Sequence, residues 1–325
     1  MNAHTIETES ESRPIILFVL GMARSGTSAL TRVVSLCGGT LPAGMVGGFV
    51  GNPAGYWEPR KAVRLNETIL RRHGSAGYDP SLRLQEDGAL DAEARAACIA
   101  KIRRYLSTLP AAPLVVIKEP QITALSDMWF EAARHAGFDV AAAIAVRHPQ
   151  EVVESFGQRR PGNPKALSGA LWLRYSLLAE RGTRGLPRVF VEYANLLEDW
   201  RREVKRISAA LPFDLAPPRE SGAIEEFLKP GLQHQRNCGP VTELFGTDWI
   251  SSAYQTLGAA ARDEPLDVSV LDHIFEAYRV YETDFRSVFA DFRRLQKLDR
   301  FSRPSLTGAV LEILAMAHGR KGTWA

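Results

Sequence analysis

The hydrophobic positions of this chain fall into short continuous runs separated by longer stretches of helical periodicity. Four runs are rich in β-branched residues and bounded by turn residues, as buried parallel strands are. They are residues 15–20, 114–117, 140–146 and 188–191. Between them lie stretches long enough for crossover helices, at residues 92–109, 125–136 and 167–181. This alternation predicts an α/β fold with a central parallel sheet flanked by helices, in an order that the pattern does not specify.

Two regions depart from the alternation. Residues 38–55 hold seven glycines, and a loop of that length is usually functional or disordered. After residue 266, apolar residues from Leu271 to Leu295 follow a 3–4 spacing, which predicts one long helix. Its apolar seam has two interpretations: packing on the chain's own domain, or a homodimer contact through residues 271–295. Packing on the domain is favoured, because a second apolar helix at 306–317 could complete an antiparallel hairpin.

Composition bounds the class of protein without indicating its chemistry. The 325 residues are 45% hydrophobic, with 40 Lys and Arg against 37 Asp and Glu, which excludes a disordered or disulfide-scaffold chain. A net charge of +3 does not indicate nucleic acid. Three scattered cysteines, acidic residues before the first strand and no apolar run of membrane-spanning length predict a cytoplasmic protein. We expect a tail at 1–13, an α/β domain at 14–265 and a helical extension at 266–325.

The strongest motif is Gly-Met-Ala-Arg-Ser-Gly-Thr-Ser at residues 21–28, directly after the first strand. Its glycines permit a tight turn in which backbone N–H groups and a helix N-terminus face an anion, and Arg24, Thr27 and Ser28 add donors. A nucleoside-triphosphate loop has lysine where Thr27 stands, and no later strand ends in an aspartate suited to Mg²⁺. The sequence predicts a phosphate loop without triphosphate equipment and without a metal site.

A second anion site is predicted after the third strand, where Arg147 and Pro149 precede Ser155. Such residues are more often structural than functional when taken alone. The local charge favours the functional interpretation, because residues 147–188 hold eight Lys and Arg against three acids, a net +5.

Together these motifs resemble those of the PAPS-dependent sulfotransferases, in particular bacterial members acting on carbohydrates and small molecules. The resemblance implies a P-loop-like fold with PAPS as sulfuryl donor, PAP as product and no metal requirement. It implies that Arg147 and Ser155 bind the 3′-phosphate, that Tyr193 contacts the adenine, and that residues 227–234, ending in His234, close over the nucleotide. The 5′-phosphosulfate would be bound by the loop residues Arg24, Ser25, Gly26, Thr27 and Ser28.

The candidate general base is Glu58, which ends the segment Asn-Pro-Ala-Gly-Tyr-Trp-Glu at 52–58. The bacterial family has a similar segment with its acid near the acceptor, whereas a structural interpretation pairs Glu58 with Arg60 or Lys61. Glu119, which follows a strand, is the alternative base. Lys118 and Arg24 would stabilise the transferring group.

The expected activity is sulfuryl transfer to a hydroxyl of a carbohydrate or glycosylated small molecule. Two other functions stay open: a P-loop kinase or NTPase with a degenerate loop, and a non-catalytic binding protein. The sequence does not distinguish O- from N-sulfation, nor does it identify the acceptor.

Overall fold

The computed structural model describes residues 13–48, 55–159, 164–218, 222–228, 243 and 246–299, without the side chains of 159 and 287–299. Within these ranges the chain is an α/β fold with four parallel strands. The strands are β1 (Ile15–Leu20), β2 (Leu114–Lys118), β3 (Asp139–Val146) and β4 (Arg188–Glu192). Each lies within one residue of the run that predicted it.

Helices connect the strands and cover the sheet. Short 3₁₀ segments lie at Arg83–Gln85 and Pro120–Leu125. The α-helices in the described ranges are α1 (Thr27–Leu36), α2 (Arg60–Arg72), α3 (Ala92–Leu106), α4 (Ser126–His135), α5 (Pro149–Arg159), α6 (Lys165–Gly182), α7 (Tyr193–Glu198), α8 (Trp200–Ala210), α9 (Gly222–Phe227), α10 (Trp249–Ala260) and α11 (Val268–Asp299).

The predicted helices agree with the observed ones except at some ends. Helix α3 begins where Asp91 Oδ1 accepts a hydrogen bond from the Ala94 N–H (2.7 Å), as an N-cap does. It ends at Leu106 rather than 109. The hydroxyls of Ser107 and Thr108 donate back to main-chain carbonyls of the preceding turn at 3.0 and 2.8 Å, which competes with further helix.

Helices cover both faces of the sheet, which explains why its strands are apolar almost throughout. Leu17 and Val19 of β1 belong to the buried cluster that contains the apolar residues of α1 and α8. Phe18 points to the other face, with ring centroids 6.1 Å from Trp129 and 5.2 Å from Phe130 of α4. The alternation of side chains along β1 therefore joins two separate helical layers to one sheet.

The strand order is β2-β1-β3-β4, with every pair parallel. In parallel strands all carboxyl ends lie along one edge, and ligands of open α/β sheets bind outside that edge. The residues that directly follow the strands, Gly21, Glu119, Arg147 and Tyr193, accordingly lie along this edge. β1 lies between β2 and β3, so the phosphate loop has the β2 end on one side and the β3 end on the other.

The chain forms two compact units, with a boundary inside α11 between Phe275 and Glu276. The long helix predicted from the 3–4 spacing is present as α11. Along its seam Tyr278 is buried, whereas Tyr281 and Phe285 are exposed. The division at 266, the hairpin and the homodimer contact stay predictions, since residues 306–317 lie outside the described part of the chain.

None of the helices in the described residues is long and apolar enough to cross a membrane. The same residues contain no group of three or more His, Cys, Asp or Glu side chains that could hold a metal ion.

Candidate functional site

The phosphate loop is an open turn that leads directly into α1. Gly21, Arg24 and Gly26 have φ of 120°, 76° and 88°, the left-handed region that glycine adopts readily and arginine rarely. Gly26 is the N-cap residue of α1, and no side chain in the described residues caps that end. The first N–H groups of α1 are therefore left for another acceptor, and they lie at the positive end of the helix dipole, as anion binding requires.

The structure brings the two predicted anion motifs into contact. Arg24 Nε donates to Ser155 Oγ on α5 at 2.9 Å. Arg147 Nη1 donates to the main-chain oxygen of Arg24 at 2.9 Å, and its Nε donates to Glu151 Oε2 at 2.8 Å. Two motifs that are 123 residues apart in sequence are thus joined by two hydrogen bonds, one to the Ser155 side chain and one to the Arg24 main-chain carbonyl. Ser155 is joined to the loop arginine rather than to Arg147.

Tyr193 lies beneath this contact. The Arg147 guanidinium lies 4.6 Å from the centroid of the Tyr193 ring, and burial raises the pKa of the Tyr193 hydroxyl. A Cβ on Gly26 would overlap the same ring. Position 26 is therefore glycine for two reasons, its positive φ and its contact with Tyr193. The role predicted for Tyr193 at an adenine stays a prediction.

Gly26→Ala and Gly137→Ala separate these two reasons, because their φ values are 88° and 90° but no atom lies within 4 Å of a Cβ on Gly137. Gly137→Ala is expected to lower the free energy of unfolding by about 1–2 kcal/mol through backbone strain. Gly26→Ala should lose roughly 1–3 kcal/mol more through the overlap with Tyr193. Urea unfolding measures both values, and equal losses in the two variants would contradict the assigned contact.

A second cluster on the β2 side of the loop is centred on Lys118, whose side chain is 3% exposed. Lys118 Nζ lies 2.5 Å from Glu58 Oε1, 3.1 Å from the Tyr56 carbonyl oxygen and 3.3 Å from Ser28 Oγ. Ser28 Oγ also donates to the Tyr56 carbonyl at 3.1 Å. One ammonium group thus joins the end of β2, the start of α1 and the segment that carries Glu58.

Glu58 is paired with Lys118 and not with Arg60 or Lys61, the partners of its structural interpretation. Arg60 Nε instead donates to the Gly44 carbonyl. The preceding residue, Trp57, has φ of 55°, and its ring lies 4.5 Å from the Arg32 guanidinium carbon. Among the described residues no hydrogen bond reaches Glu58 Oε2. The segment therefore holds a carboxylate beside the loop with one oxygen engaged by a cation.

Glu119 has a different environment from Glu58 although it adjoins Lys118 in sequence. It is 2% exposed and accepts a hydrogen bond from Asn66 Nδ2. Burial raises its pKa to about 8, the charge of Glu58 acts in the same direction, and the Asn66 hydrogen bond opposes the shift. At pH 7 the protonated form of Glu119 therefore predominates. Its side chain is also buried against Asn66, whereas Glu58 lies beside the loop, so Glu58 is the better candidate base.

The protonated state of Glu119 predicts a pH dependence of stability. The native state keeps this proton up to about pH 8, whereas the unfolded chain loses it near pH 4.5. Between those values the native state binds the extra proton, so stability falls as pH rises. For this group alone, the unfolding constant rises up to about tenfold per pH unit in that window.

Glu119→Gln removes that ionisation while keeping an oxygen for Asn66. We expect its stability, relative to the unaltered protein, to improve steadily from pH 5 to pH 8 in urea unfolding. Parallel curves for the two proteins over that range would contradict the burial argument.

The solved structures similar to this chain include a sulfotransferase domain. No protein-family model matches the sequence, and no significant match occurs among curated proteins. The solved sulfotransferase domain of the Synechococcus PCC 7002 olefin synthase is 21% identical, with a TM-score of 0.40, over 83% of this chain and 96% of that domain.

Three arginines near the end of the basic stretch 147–188 form ion pairs within the described residues. Arg184 lies 2.7 Å from Glu180 and 2.9 Å from Asp272, Arg181 lies 2.7 Å from Asp272, and Arg188 lies 3.2 Å from Glu180. Glu180 is already counted in the net +5 of this stretch, and of the two acids in these pairs only Asp272 lies outside it, which lowers the net charge from +5 to +4. The concentration of positive charge beside the second anion motif stays a prediction.

Asn66 is a site residue that the motifs did not indicate. It is fully buried, donates to Glu119 and accepts from Trp129 Nε1 at 2.8 Å. A signal was available in the sequence, because Asn66 interrupts the apolar stripe of α2. The other buried residues of that stripe are Ala62, Ile69 and Leu70. A polar residue in such a stripe usually has a specific partner.

Further residues support the loop and the end of β3. Thr123 Oγ1 accepts a hydrogen bond from the Gly21 N–H at 3.1 Å, and Trp172 Nε1 donates to the Arg147 carbonyl at 3.1 Å. Tyr254 donates to Glu192 Oε1 at 2.6 Å and lies beside His148, whose pKa is lowered by burial. No local motif identifies these residues. His234, predicted to close over the nucleotide, lies outside the described residues.

Proposed function

We propose that this protein is a sulfotransferase that moves a sulfuryl group from PAPS to a hydroxyl of a carbohydrate or glycosylated small molecule. The observation that carries the proposal is the contact between the two anion motifs, through Arg24, Ser155 and Arg147. PAPS has a 5′-phosphosulfate and a 3′-phosphate on one nucleotide. Two anion-binding motifs that touch each other suit one such molecule better than two independent ligands.

The donor set fits the nucleotide in chemical type. The loop offers N–H groups at the start of α1, the hydroxyl of Thr27 and the Arg24 guanidinium, whereas the Ser28 hydroxyl already donates to the Tyr56 carbonyl. These are neutral and cationic hydrogen-bond donors, the groups that bind phosphate and sulfate. Arg147 adds a guanidinium at the end of β3. The cytoplasmic location stays a prediction from the sequence.

Glu58 and Lys118 supply the acceptor side of the proposed reaction. PAPS, when bound, provides an SO₃ group whose leaving group is the stable phosphate PAP. Glu58 takes the proton of the acceptor hydroxyl as the new S–O bond forms and the bond between sulfur and the phosphate oxygen breaks. Lys118 and Arg24 stabilise the negative charge that the phosphate oxygen gains, and PAP leaves with the electron pair. The protein's part is to position the donor and the acceptor, to stabilise the developing negative charge and to accept one proton.

Calorimetry with PAP tests the binding half of the proposal, and transfer from radiolabelled PAPS to a panel of glycans tests the reaction. We expect PAP to bind and at least one hydroxylated glycan to become labelled. Thermal unfolding with Mg·ATP serves as the comparison, because a kinase or NTPase would be stabilised by it. Absence of PAP binding, or stabilisation by Mg·ATP alone, overturns the proposal.

A further inference from the structure

Arg174, in the middle of α6, is a buried arginine whose terminal nitrogens are not hydrogen-bonded. Its exposed fraction is 1%. Nε donates to the Ser81 carbonyl at 2.7 Å, but neither Nη1 nor Nη2 has a hydrogen-bond partner within the described chain. It differs from Arg181 and Arg184, which form ion pairs with carboxylates. Four N–H donors and a full positive charge are thus buried without an anion.

A buried, unpaired charge is costly, and native proteins normally pair such a group or bind a ligand with it. Arginine cannot avoid the cost by losing its proton. Its two terminal nitrogens form a planar fork that matches the oxygens of a carboxylate, phosphate or sulfate. The missing partner is therefore best matched by an oxyanion.

The surroundings of Arg174 contain further polar groups but no carboxylate in ion-pair contact with it among the described residues. The guanidinium lies 5.2 Å from the centroid of the Tyr175 ring, and the Tyr175 hydroxyl donates to the Gly77 carbonyl at 3.1 Å. The Gln121 side chain also packs against Gly77, and its buried Oε1 has no hydrogen-bond partner in the described chain. Gln121 Oε1 is thus a second buried polar atom without a partner, next to the glycine whose carbonyl accepts from the neighbour of Arg174, and native proteins seldom leave such atoms without a ligand or water.

This cluster continues from the proposed catalytic cluster. Gln121 lies two residues after Glu119, in the 3₁₀ segment that follows β2, and its side chain packs against Gly77. The Gly77 carbonyl accepts the hydrogen bond of Tyr175, the neighbour of Arg174 in α6. A line of contacts therefore leads from the end of β2, where Lys118 holds the candidate base, to Tyr175 and Arg174.

We infer that Arg174 binds an oxyanion of the acceptor, so that the acceptors are hydroxyl compounds carrying a carboxylate, phosphate or sulfate group. The inference rests on the proposed function, because an acceptor exists only in a transfer reaction. It adds a specificity-determining residue on α6, away from the phosphate loop, and it narrows the substrate class from any glycan to an anionic one.

Inorganic phosphate is the probe for the binding test, titrated by calorimetry into the full chain saturated with PAP. We expect one phosphate site that Arg174→Met weakens at least tenfold, with PAP affinity unchanged. Arg181→Met is the matched control, since it removes one positive charge from the same helix, and it should leave phosphate affinity within twofold. Equal phosphate affinity in Arg174→Met and the unaltered protein overturns the inference, as does absence of a phosphate site.

Turnover with a matched acceptor pair tests the same residue in the reaction. Methyl glucuronoside should have a KM at least tenfold lower than methyl glucoside, and Arg174→Met should abolish that difference while leaving the PAPS KM unchanged. If Arg174→Met does not fold, Arg174→Lys replaces it, and loss of the preference is still expected because lysine lacks the fork. A preference that persists in the folded variant contradicts the inference.

The two proposals fail in distinguishable ways. If PAP does not bind, the proposed function is wrong. Titration of the PAP-free chain with phosphate still measures the number of anion sites, and it shows whether Arg174→Met has one site fewer than the unaltered protein. If PAP binds and sulfate is transferred without any dependence on Arg174, only the inference is wrong.

Discussion

Glu58→Gln is expected to lower kcat for sulfuryl transfer about 10²–10⁴-fold, the usual contribution of a positioned general base, and to leave PAP affinity nearly unchanged. The amide cannot accept the acceptor's proton. Lys118 keeps its contacts with the Tyr56 carbonyl and Ser28 Oγ, so the loop retains its support. Single-turnover transfer from radiolabelled PAPS measures the first effect, and calorimetry with PAP measures the second.

Glu119→Gln is the matched control for this result. It makes the same chemical change one residue from Lys118, at a carboxyl group that burial keeps protonated up to about pH 8. Transfer at pH 7 should therefore fall less than about tenfold, since a group that already holds its proton supplies little general-base catalysis. The opposite pattern, in which Glu119→Gln is inactive and Glu58→Gln is active, would assign the base to Glu119.

Replacing Arg24 should have an effect of similar size on the donor side. Arg24→Gly and Arg24→Ala are both expected to lower kcat/KM about 10³-fold, because each removes the cation placed where charge develops. Comparing the two variants separates the effect of losing the guanidinium from the effect of backbone strain at position 24. Arg24 has φ of 76°, a conformation that strains alanine and not glycine. Steady-state transfer rates together with thermal unfolding check both variants.

If the backbone turn mattered more than the guanidinium, Arg24→Gly would retain activity and only Arg24→Ala would lose it.

Ser155→Ala is the further control. It removes the hydroxyl that Arg24 Nε contacts at 2.9 Å but keeps the charge, so we expect a loss of about tenfold, corresponding to one hydrogen bond of roughly 1–1.5 kcal/mol. A loss as large as that of Arg24→Gly would mean that the position of the guanidinium counts as much as its charge.

The fold could be predicted closely because its signals are local. A buried parallel strand needs a short, continuous apolar run, and the four observed strands lie within one residue of such runs. Pro149 begins α5 as its position after a strand suggests. The strand order could not be predicted, since it depends on which runs pair across more than a hundred residues, as Ile15 and Asp139 do.

The candidate site shows the same difference between local signals and long-range contacts. The phosphate loop and the residues at strand ends were identified by motif, because strand-to-loop transitions are visible in sequence. The partner of Glu58 was not identified, because Lys118 lies 60 residues away and reaches it only through the pairing of β1 with β2. Arg174 was counted only as one basic residue of a charged stretch. Its burial depends on the packing of α6, in which nearly every residue from Ser168 to Glu180 is buried.

The two strained residues beside the loop have a consequence for how this protein responds to selection. Arg24 and Trp57 are two of three described non-glycine residues with positive φ, and each such residue costs on the order of 1 kcal/mol that glycine would not. A laboratory selection for heat resistance alone would favour glycine at both positions. The selected variants would be more stable to heat and catalytically impaired. Heat stability and turnover must therefore be selected together in this protein.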